Sequence, residues 1–343
     1  MARLDSCYNV FDLREAARRR LPRGVFEFVD RSTEDEPALR NNRHAFEKIK
    51  LKHRALVDVS GRSTRTTLFG KEIALPMAIA PTGAAGLCWH EGELELAKAA
   101  ARAKIPFTLA TGAMTSMEKI AKEANFRLWF QLYVWKQREL SYQLIERARN
   151  NGFEALIGMP RNENYPEPYR RPIGTDPGTR EVMRQDSLNW DDIRIFRDKW
   201  PGVLMLKGIN RVDDALKAIG YGVDGLIVSN HGGRNMDSAA ATLDMLPDIA
   251  ETVGDKATVI LDSGVRRGSD IVKAVALGAK CVLTGRATLH GTAVGGQAGA
   301  AKAVGFIQTE MDKTMAYTGC NRVDEISTDI FFGDRESNRL MAG

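Results

Sequence analysis

The chain has 343 residues, of which 43% are hydrophobic and 27% charged, a composition that excludes extended disorder. This length allows one large α/β barrel with an N-terminal extension, so we expect a single domain over residues 1–343. The net charge of +5 comes from Lys and Arg interleaved with Asp and Glu. A nucleic-acid partner is therefore not expected.

The cysteines and the hydropathy pattern bear on location. Four cysteines are scattered without CxxC or metal-ligand spacing, so we expect neither a disulfide framework nor a metal site. No run approaches the roughly 18 apolar residues of a membrane span. We expect a cytoplasmic protein, with peripheral contact at the inner face of the membrane as an alternative because residues 14–23 are strongly basic.

The first 70 residues predict a helical extension. They lead into a small hairpin over 66–73, which we expect to turn at Phe69-Gly70-Lys71. The C-terminal part, from about residue 288, is expected to be helical, with residues 301–343 forming a C-terminal helix and a tail.

Eight short apolar runs follow one another from residue 74. Each is too short for a typical helix, and most lack strict alternation, as expected of parallel strands covered on both faces. The runs are 74–81, 106–111, 128–134, 155–159, 202–208, 225–230, 258–263 and 281–286.

Stretches with helical periodicity separate these runs, for example 92–104 and 268–279. Eight strand-then-helix units predict a (β/α)8 TIM barrel over residues 74–300. A doubly wound open sheet is the competing architecture, but no GxGxxG follows the first strand. After the fourth strand the Pro-rich segment 161–179 predicts a lid excursion over the barrel mouth.

Polar residues gather where the predicted strands end. In such barrels the site is built from these C-terminal ends and the loops that follow them. Buried charges are costly unless paired, so this many polar groups at one end is hard to explain as core filling. The residues concerned are Gln131, Tyr133, Lys207, Ser229, His231, Asp262 and Arg286.

The last two units predict a phosphate-binding site. "DSGVRRG" (262–268) offers glycine-enabled backbone N–H groups and Arg266, and "TGR" (284–286) adds a second Gly-Arg pair. A sugar phosphate would suit these groups as well as a cofactor phosphate.

The fifth and sixth units carry groups suited to catalysis. Lys207 is either a Schiff-base lysine or a fixed cation that stabilises negative charge. His231 is a candidate general base, and Arg234 could bind a carboxylate bidentately across Gly232-Gly233. A base and a carboxylate clamp on one loop indicate chemistry at the carbon next to a carboxylate.

Six motifs occur in a fixed order along the chain. They are "PTG" (81–83), "WFQLYV" (129–134), "LKG" (206–208), "SNHGGRNMD" (229–237), "DSGVRRGSDIVKAVALGA" (262–279) and "TGR" (284–286). In this order they resemble the FMN-dependent L-2-hydroxy-acid oxidase and dehydrogenase family, which includes glycolate oxidase, L-lactate dehydrogenase and (S)-mandelate dehydrogenase. The resemblance covers nearly the whole chain, including the N-terminal "FEFVDRSTEDE" and "NNRHAFE".

This resemblance implies FMN as the cofactor. The phosphate would be held by the glycines and arginines of the last two units, with Asp262 near the ribityl chain and Lys207 at the N1/O2 edge of the flavin. The implied cofactor contacts are Pro81, Thr82, Gly83, Ala110, Gln131, Met159, Lys207, Ser229, Asp262, Ser263, Gly264, Arg266, Gly285 and Arg286.

The same resemblance implies oxidation of an L-2-hydroxy acid to the 2-oxo acid, with a hydride equivalent passed to flavin N5. His231 would take a proton from the substrate, Tyr133 would hydrogen-bond it, and Arg234 would bind its carboxylate. The electron acceptor would be a quinone, another carrier or O₂. Relatives are commonly tetramers, so a homotetramer is implied.

Four positions depart from the usual family pattern. Phe28 replaces a substrate-binding tyrosine, and Ala110 replaces a serine. Gly112 stands where glycolate oxidase has a bulky aromatic residue, which favours a large, mandelate-like substrate. Gly83 replaces an alanine and resembles the dehydrogenases more than the oxidases.

The largest departure follows the fourth strand. Relatives carry a Thr-Val-Asp-Thr-Pro run there, whose aspartate supports the catalytic histidine. Here Met159 takes the threonine position, the aspartate is absent, and Arg161 is the candidate for a second substrate-binding arginine. The dehydrogenase therefore has two alternatives: an oxidase that produces H₂O₂, and a flavin-binding variant with impaired catalysis. A phosphosugar enzyme without flavin is a further alternative.

Overall fold

Eight parallel strands close into a barrel in the computed structural model, which describes residues 4–159 and 187–333. Each strand pairs with the next along the chain, and the last pairs with the first. The strands are β3 (Met77–Ile79), β4 (Phe107–Ala110), β5 (Leu128–Leu132), β6 (Ala155–Gly158), β7 (Val203–Lys207), β8 (Gly225–Val228), β9 (Thr258–Leu261) and β10 (Cys281–Thr284). The predicted (β/α)8 barrel is confirmed, and the open sheet is excluded.

Alternate side chains of these strands point to opposite faces, as the two-residue period of a strand requires. One set packs in the barrel interior, including Ala78, Trp129, Met205 and Ile260. The other set packs against the surrounding helices in the larger core. Both faces are apolar, which explains why the strands read as continuous apolar runs.

A hairpin closes the N-terminal end of the barrel. Its strands are β1 (Thr66–Leu68) and β2 (Lys71–Ile73), and the Phe69 ring packs edge-on against Trp129 with centroids 6.3 Å apart. Arg127, buried beneath it, donates to the carbonyl of Leu68 at 3.0 Å. The predicted turn is one residue too long, because Lys71 already pairs in β2.

Three helices of the N-terminal extension and eight helices of the barrel and C-terminal region lie within the described ranges. They are α1 (Val10–Arg20), α2 (Arg23–Asp30), α3 (Pro37–Lys48), α4 (Gly92–Arg102), α5 (Met117–Glu123), α6 (Arg138–Asn150), α7 (Trp190–Lys199), α8 (Val212–Gly220), α9 (Thr242–Val253), α10 (Gly268–Ala276) and α11 (Arg286–Thr318).

The last helical stretch starts at Arg286, close to the predicted residue 288. It kinks at Gly295-Gly296 and ends where Gly319 adopts a left-handed conformation. In the described ranges no helix is long and apolar enough to cross a membrane. The lid excursion at 161–179 and the tail beyond residue 333 lie outside the described residues.

The extension returns over the C-terminal mouth of the barrel. The end of α2 accepts hydrogen bonds from Arg234 and Arg286, which follow barrel strands. Helix α3 bonds to the loops after β8 and β9 through Asn42 and Arg43. The extension therefore forms part of the wall around the mouth.

Candidate active site

The polar groups of the site occupy inward positions above the apolar layer of the barrel. Lys207 lies two residues after inward-facing Met205, and Gln131 two residues after Trp129. Both side chains are buried, at 3% and 2% exposure. On each strand the inward-facing positions are therefore apolar deep in the barrel and polar at the C-terminal end, where the site lies.

Lys207, Ser229 and Asp262 form one hydrogen-bonded cluster. The Lys207 ammonium lies 2.8 Å from an Asp262 carboxylate oxygen and donates to the Ser229 hydroxyl at 2.9 Å. That hydroxyl donates to Asp262 at 2.7 Å. Burial raises the pKa of Asp262, but Lys207 and Ser229 outweigh it and hold the pKa below its usual value. This pairing favours the fixed-cation role of Lys207 over the Schiff-base alternative.

His231 is joined to this cluster through its backbone. Its N–H donates to the Ser229 hydroxyl at 3.1 Å. Its φ of 58° is left-handed, a conformation that costs a non-glycine residue of order 1 kcal/mol or more and persists only where neighbours hold it. The strain lies at the residue predicted to be the catalytic base.

Tyr133 faces His231 across the mouth. Its hydroxyl lies 3.5 Å from Nε2 of His231, and its backbone N–H donates to the Thr111 hydroxyl at 2.8 Å. The two side chains could therefore share a small substrate group. Thr111 positions Tyr133, but nothing in the sequence except its location at a strand end indicates this role.

Arg234 and Arg286 both reach the end of α2. Arg234 donates to the carbonyls of Phe28 and Arg31 at 2.7 and 2.9 Å, and its guanidinium lies 5.2 Å from the Phe28 ring centroid. Arg286 donates to Val29 at 3.0 Å and to Arg31 at 2.8 Å. Arg234, predicted to bind a carboxylate, and Arg286, predicted to bind the phosphate, thus both donate to the carbonyl oxygen of Arg31.

The loop after β9 carries the predicted phosphate site. Ser263 and Gly264 both have positive φ, 82° and 87°. The N–H groups of Arg266 and Arg267 are taken by the Asp270 carboxylate, at 2.8 and 2.9 Å. These two amides cap α10 rather than pointing at a ligand, so the prediction that backbone N–H groups of this loop bind phosphate stays with its other residues, such as Gly264.

The remaining charge still suits an anion. Burial, with repulsion from Arg43, lowers the pKa of Arg266 to about 10. Burial, with repulsion from Arg266 and Arg234, lowers the pKa of Arg286 to about 9. Arg266 and Arg286 are partly buried cations that lie close enough to repel each other, and a phosphate, such as that of FMN, would relieve this repulsion.

The other predicted cofactor contacts lie around the same mouth. Within the described residues, Nε2 of Gln131 is buried without a hydrogen-bond partner, which fits a polar ligand above it. A Cβ on Gly285 would lie 3.4 Å from the Thr82 side chain. The further positions Pro81, Gly83, Ala110 and Met159 follow β3, end β4 or follow β6. Arg161 lies outside the described residues.

Some residues of the site were missed by sequence reasoning. Asp30 accepts from Arg14 at 2.6 Å and lies 3.5 Å from the buried His290. Glu93, at 1% exposure, accepts from the N–H of Met114 at 3.1 Å and so supports the loop after β4. Such pairings join residues far apart in sequence, and no local pattern marks them.

Comparison with known proteins agrees with this geometry. A family model described as FMN-dependent dehydrogenase matches residues 17–159 and 169–332. An L-lactate oxidase of Nostoc is 38% identical over 96% of this chain and 99% of its own length. (S)-Mandelate dehydrogenase of Pseudomonas putida is 33% identical over 96% and 95%.

Solved structures give the same result. The crystal structure of the monotopic membrane protein (S)-mandelate dehydrogenase superposes with a TM-score of 0.88 at 34% identity, covering 96% of this chain and 100% of that one. Mandelate oxidase with (S)-2-phenylpropionate gives a TM-score of 0.87 at 33% identity, covering 94% and 97%. This chain belongs to the FMN-dependent dehydrogenase family, oxidoreductases that act on the CH–OH group of 2-hydroxy acids.

Proposed function

We propose that this protein is a dehydrogenase that oxidises a bulky, mandelate-like L-2-hydroxy acid to its 2-oxo acid. The observation that carries the proposal is the Ser229 hydroxyl, which bonds both the His231 backbone and the Lys207–Asp262 pair. A candidate base and a buried cation are thereby held at one end of the barrel.

In the proposed mechanism Arg234 binds the substrate carboxylate, since its planar guanidinium suits two carboxylate oxygens. Tyr133 donates to the substrate, and His231 takes its proton as general base. Phe28, 47% exposed beside Arg234, supplies an aromatic wall. Arg161 stays a prediction as a second carboxylate ligand.

Bound FMN supplies the two-electron acceptor for the carbon that is oxidised. Lys207 would stabilise negative charge that develops beside it, and it already lies 2.8 Å from Asp262. Arg266 and Arg286 would bind the FMN phosphate. Gln131 would hydrogen-bond the flavin through its buried amide.

The preference for a bulky side chain rests on Gly112, which stands where glycolate oxidase has a bulky aromatic residue. The loops after β3 and β4 meet backbone to backbone at this point. A Cβ on Gly83 would lie 3.5 Å from the Gly112 carbonyl oxygen, and the N–H of Ala84 donates to that oxygen at 2.9 Å. The loop that carries Gly112 therefore has a fixed position and presents no side chain there to a substrate.

Anaerobic flavin reduction across a panel of 2-hydroxy acids tests the substrate class. We expect L-mandelate or a long-chain acid to bleach the absorbance of the bound flavin faster than glycolate or L-lactate. Fastest bleaching by glycolate would contradict the bulky-substrate proposal.

The electron acceptor is tested separately, because relatives include both L-lactate oxidase and (S)-mandelate dehydrogenase. We expect an artificial quinone to support faster turnover than air. Stoichiometric H₂O₂ at the full rate would make the protein an oxidase, the second candidate.

A third candidate is a flavin-binding variant with impaired catalysis, motivated by Met159 and the missing aspartate in the sequence that follows it. An unsupported imidazole spends less time in the reactive orientation. A yellow protein that no acid of the panel bleaches would support this candidate.

Assembly and location stay predictions: a homotetramer, in the cytoplasm or in peripheral contact with the inner face of the membrane. Analytical ultracentrifugation tests the tetramer. Flotation with anionic vesicles at low and high salt tests the contact, which should weaken as salt screens the basic N-terminal residues.

A further inference from the structure

We propose that Asn42, on helix α3 of the N-terminal extension, is a positioning residue that holds the loop bearing His231 and Arg234. This inference rests on the proposed function of that loop. Asn42 contacts neither reacting group. It acts on them through Asn230.

Asn42 and Asn230 form a reciprocal amide pair. The Asn42 amide nitrogen donates to the Asn230 oxygen at 2.9 Å, and the Asn230 nitrogen donates to the Asn42 oxygen at 2.8 Å. Both residues are 1% exposed. A buried amide group without a hydrogen-bond partner is costly, so replacing either asparagine by an apolar residue also destabilises the other.

Asn230 passes this restraint directly to the catalytic loop. Its side-chain oxygen also accepts from the N–H of Gly233 at 3.1 Å, and its nitrogen donates to Ala240 at 3.0 Å. His231 lies between Asn230 and Gly233 in sequence. One amide therefore fixes both ends of the short turn that presents the base.

Asn42 also reaches the strand that carries Asp262. Its oxygen accepts from the N–H of Thr242 at 3.4 Å, and the Thr242 hydroxyl donates to the Asp262 carbonyl at 2.7 Å. The Asn42 side chain is thus hydrogen-bonded to the loop after β8 and, through Thr242, to Asp262, which directly follows β9.

The turn requires such a restraint, because it is strained. His231 has a φ of 58°, which is unfavourable for a non-glycine residue, whereas the φ of 65° at Gly232 is one that glycine adopts freely. A Cβ on Gly233 would lie 2.8 Å from the backbone nitrogen of Leu39 at the start of α3. Helix α3 is therefore packed directly against the turn, and Asn42 supplies its polar attachment.

The neighbouring Arg43 gives an internal comparison. It donates to the Gly264 carbonyl and to Asp270, both at 2.6 Å, and so supports the loop of the FMN phosphate instead. Two adjacent residues of one helix serve different parts of the site. Their variants should fail in different ways.

The test compares Asn42→Leu with Arg43→Met. Asn42→Leu should lower the rate of anaerobic flavin reduction by L-mandelate about tenfold to hundredfold, because a misplaced base loses productive geometry. It should change the FMN dissociation constant, measured by flavin fluorescence quenching on apoprotein, less than Arg43→Met does, because Asn42 reaches Asp262 only through Thr242. Arg43→Met should raise that dissociation constant.

A double-mutant cycle with His231→Gln separates positioning from general loss of structure. If Asn42 acts through the histidine, Asn42→Leu should cost little further rate in the His231→Gln background. Equal losses in both backgrounds would overturn the proposal.

Ala45→Gly on the same helix is the matched control. It weakens α3 without removing either amide, so it should not slow flavin reduction. A loss equal to that of Asn42→Leu would mean that any weakening of α3 suffices, and would overturn the positioning role. If Asn42→Leu does not fold, Asn42→Ala takes its place in the same measurements.

The wild-type protein separates this proposal from the proposed function. If wild-type protein binds no FMN, or if no 2-hydroxy acid reduces its flavin, the proposed function fails first, and Asn42 then positions no catalytic base. If wild type is reduced and Asn42→Leu is reduced at the same rate, only the positioning role fails.

Discussion

The site has a cofactor half and a substrate half, which differ in the lengths of their hydrogen bonds and in burial. In the cofactor half, Lys207, Ser229 and Asp262 lie 2.7 to 2.9 Å from one another and are buried. In the substrate half, Tyr133 and His231 are 3.5 Å apart and Phe28 is 47% exposed. The comparison teaches that residues at the strand ends form the tight Lys207–Ser229–Asp262 cluster by themselves, whereas the substrate half depends on loops and on the N-terminal extension, which also contacts the predicted phosphate ligand Arg286.

The largest effect should come from breaking the buried pair of the cofactor half. Lys207→Met leaves the Asp262 carboxylate without its cation, which should lower the free energy of unfolding by about 3–5 kcal/mol. Urea denaturation of the apoprotein measures this. The control Lys207→Met/Asp262→Asn, which removes both charges, should recover most of the loss, and a fully stable single variant would contradict the pairing.

Loss of a phosphate ligand should have the next largest effect. Arg266→Ala should weaken FMN binding about tenfold to hundredfold, as removal of a hydrogen bond to a charged group would. Flavin fluorescence titration measures the dissociation constant. Arg23→Ala, on a side chain 88% exposed, is the matched control and should bind FMN normally. Normal flavin affinity in Arg266→Ala would argue against the phosphate assignment.

The dependence of stability on acid pH should also reveal the Asp262 carboxylate of the cofactor half. Because the folded pKa of Asp262 is lowered, its contribution is fully present above the unfolded aspartate pKa of about 3.9 and is lost as pH falls through the folded value. Wild type should therefore lose stability below pH 4 more steeply than Asp262→Asn. Parallel curves in thermal melts would show that Asp262 does not carry this dependence.

The smallest effect should come from Tyr133, at the edge of the substrate half. Tyr133→Phe removes a hydroxyl 3.5 Å from the histidine, too long for a strong hydrogen bond, so the reduction rate should fall by only a few fold. FMN content should not change. A loss as large as that of a histidine variant would mean that Tyr133 does more than hydrogen-bond substrate.

The sequence predicted the barrel well because its signals are local. Apolar runs such as 225–230 and 258–263 follow from strands buried on both faces, and glycine-arginine pairs mark strand ends. The helical C-terminal part, predicted from about residue 288, begins at Arg286, where the last strand run leads into the helix without a break.

The polar framework behind the site was not predictable in this way. Asn42 and Arg43 lie on a helix whose neighbouring positions are exposed, so local pattern does not distinguish them from surface residues. Their partners lie 188 and 227 residues further along the chain. The contact of Asp30 with His290 is equally distant, and only the closed fold brings such groups together.

The central claim is that His231 is the base of an FMN-dependent 2-hydroxy-acid dehydrogenase. The most direct measurement is anaerobic reduction of bound flavin by L-mandelate in wild type and in His231→Gln, at equal flavin content. We predict rapid bleaching in wild type and a rate about 10²–10⁴-fold lower in the variant, as expected for loss of a general base. Equal rates in the two proteins would contradict the account.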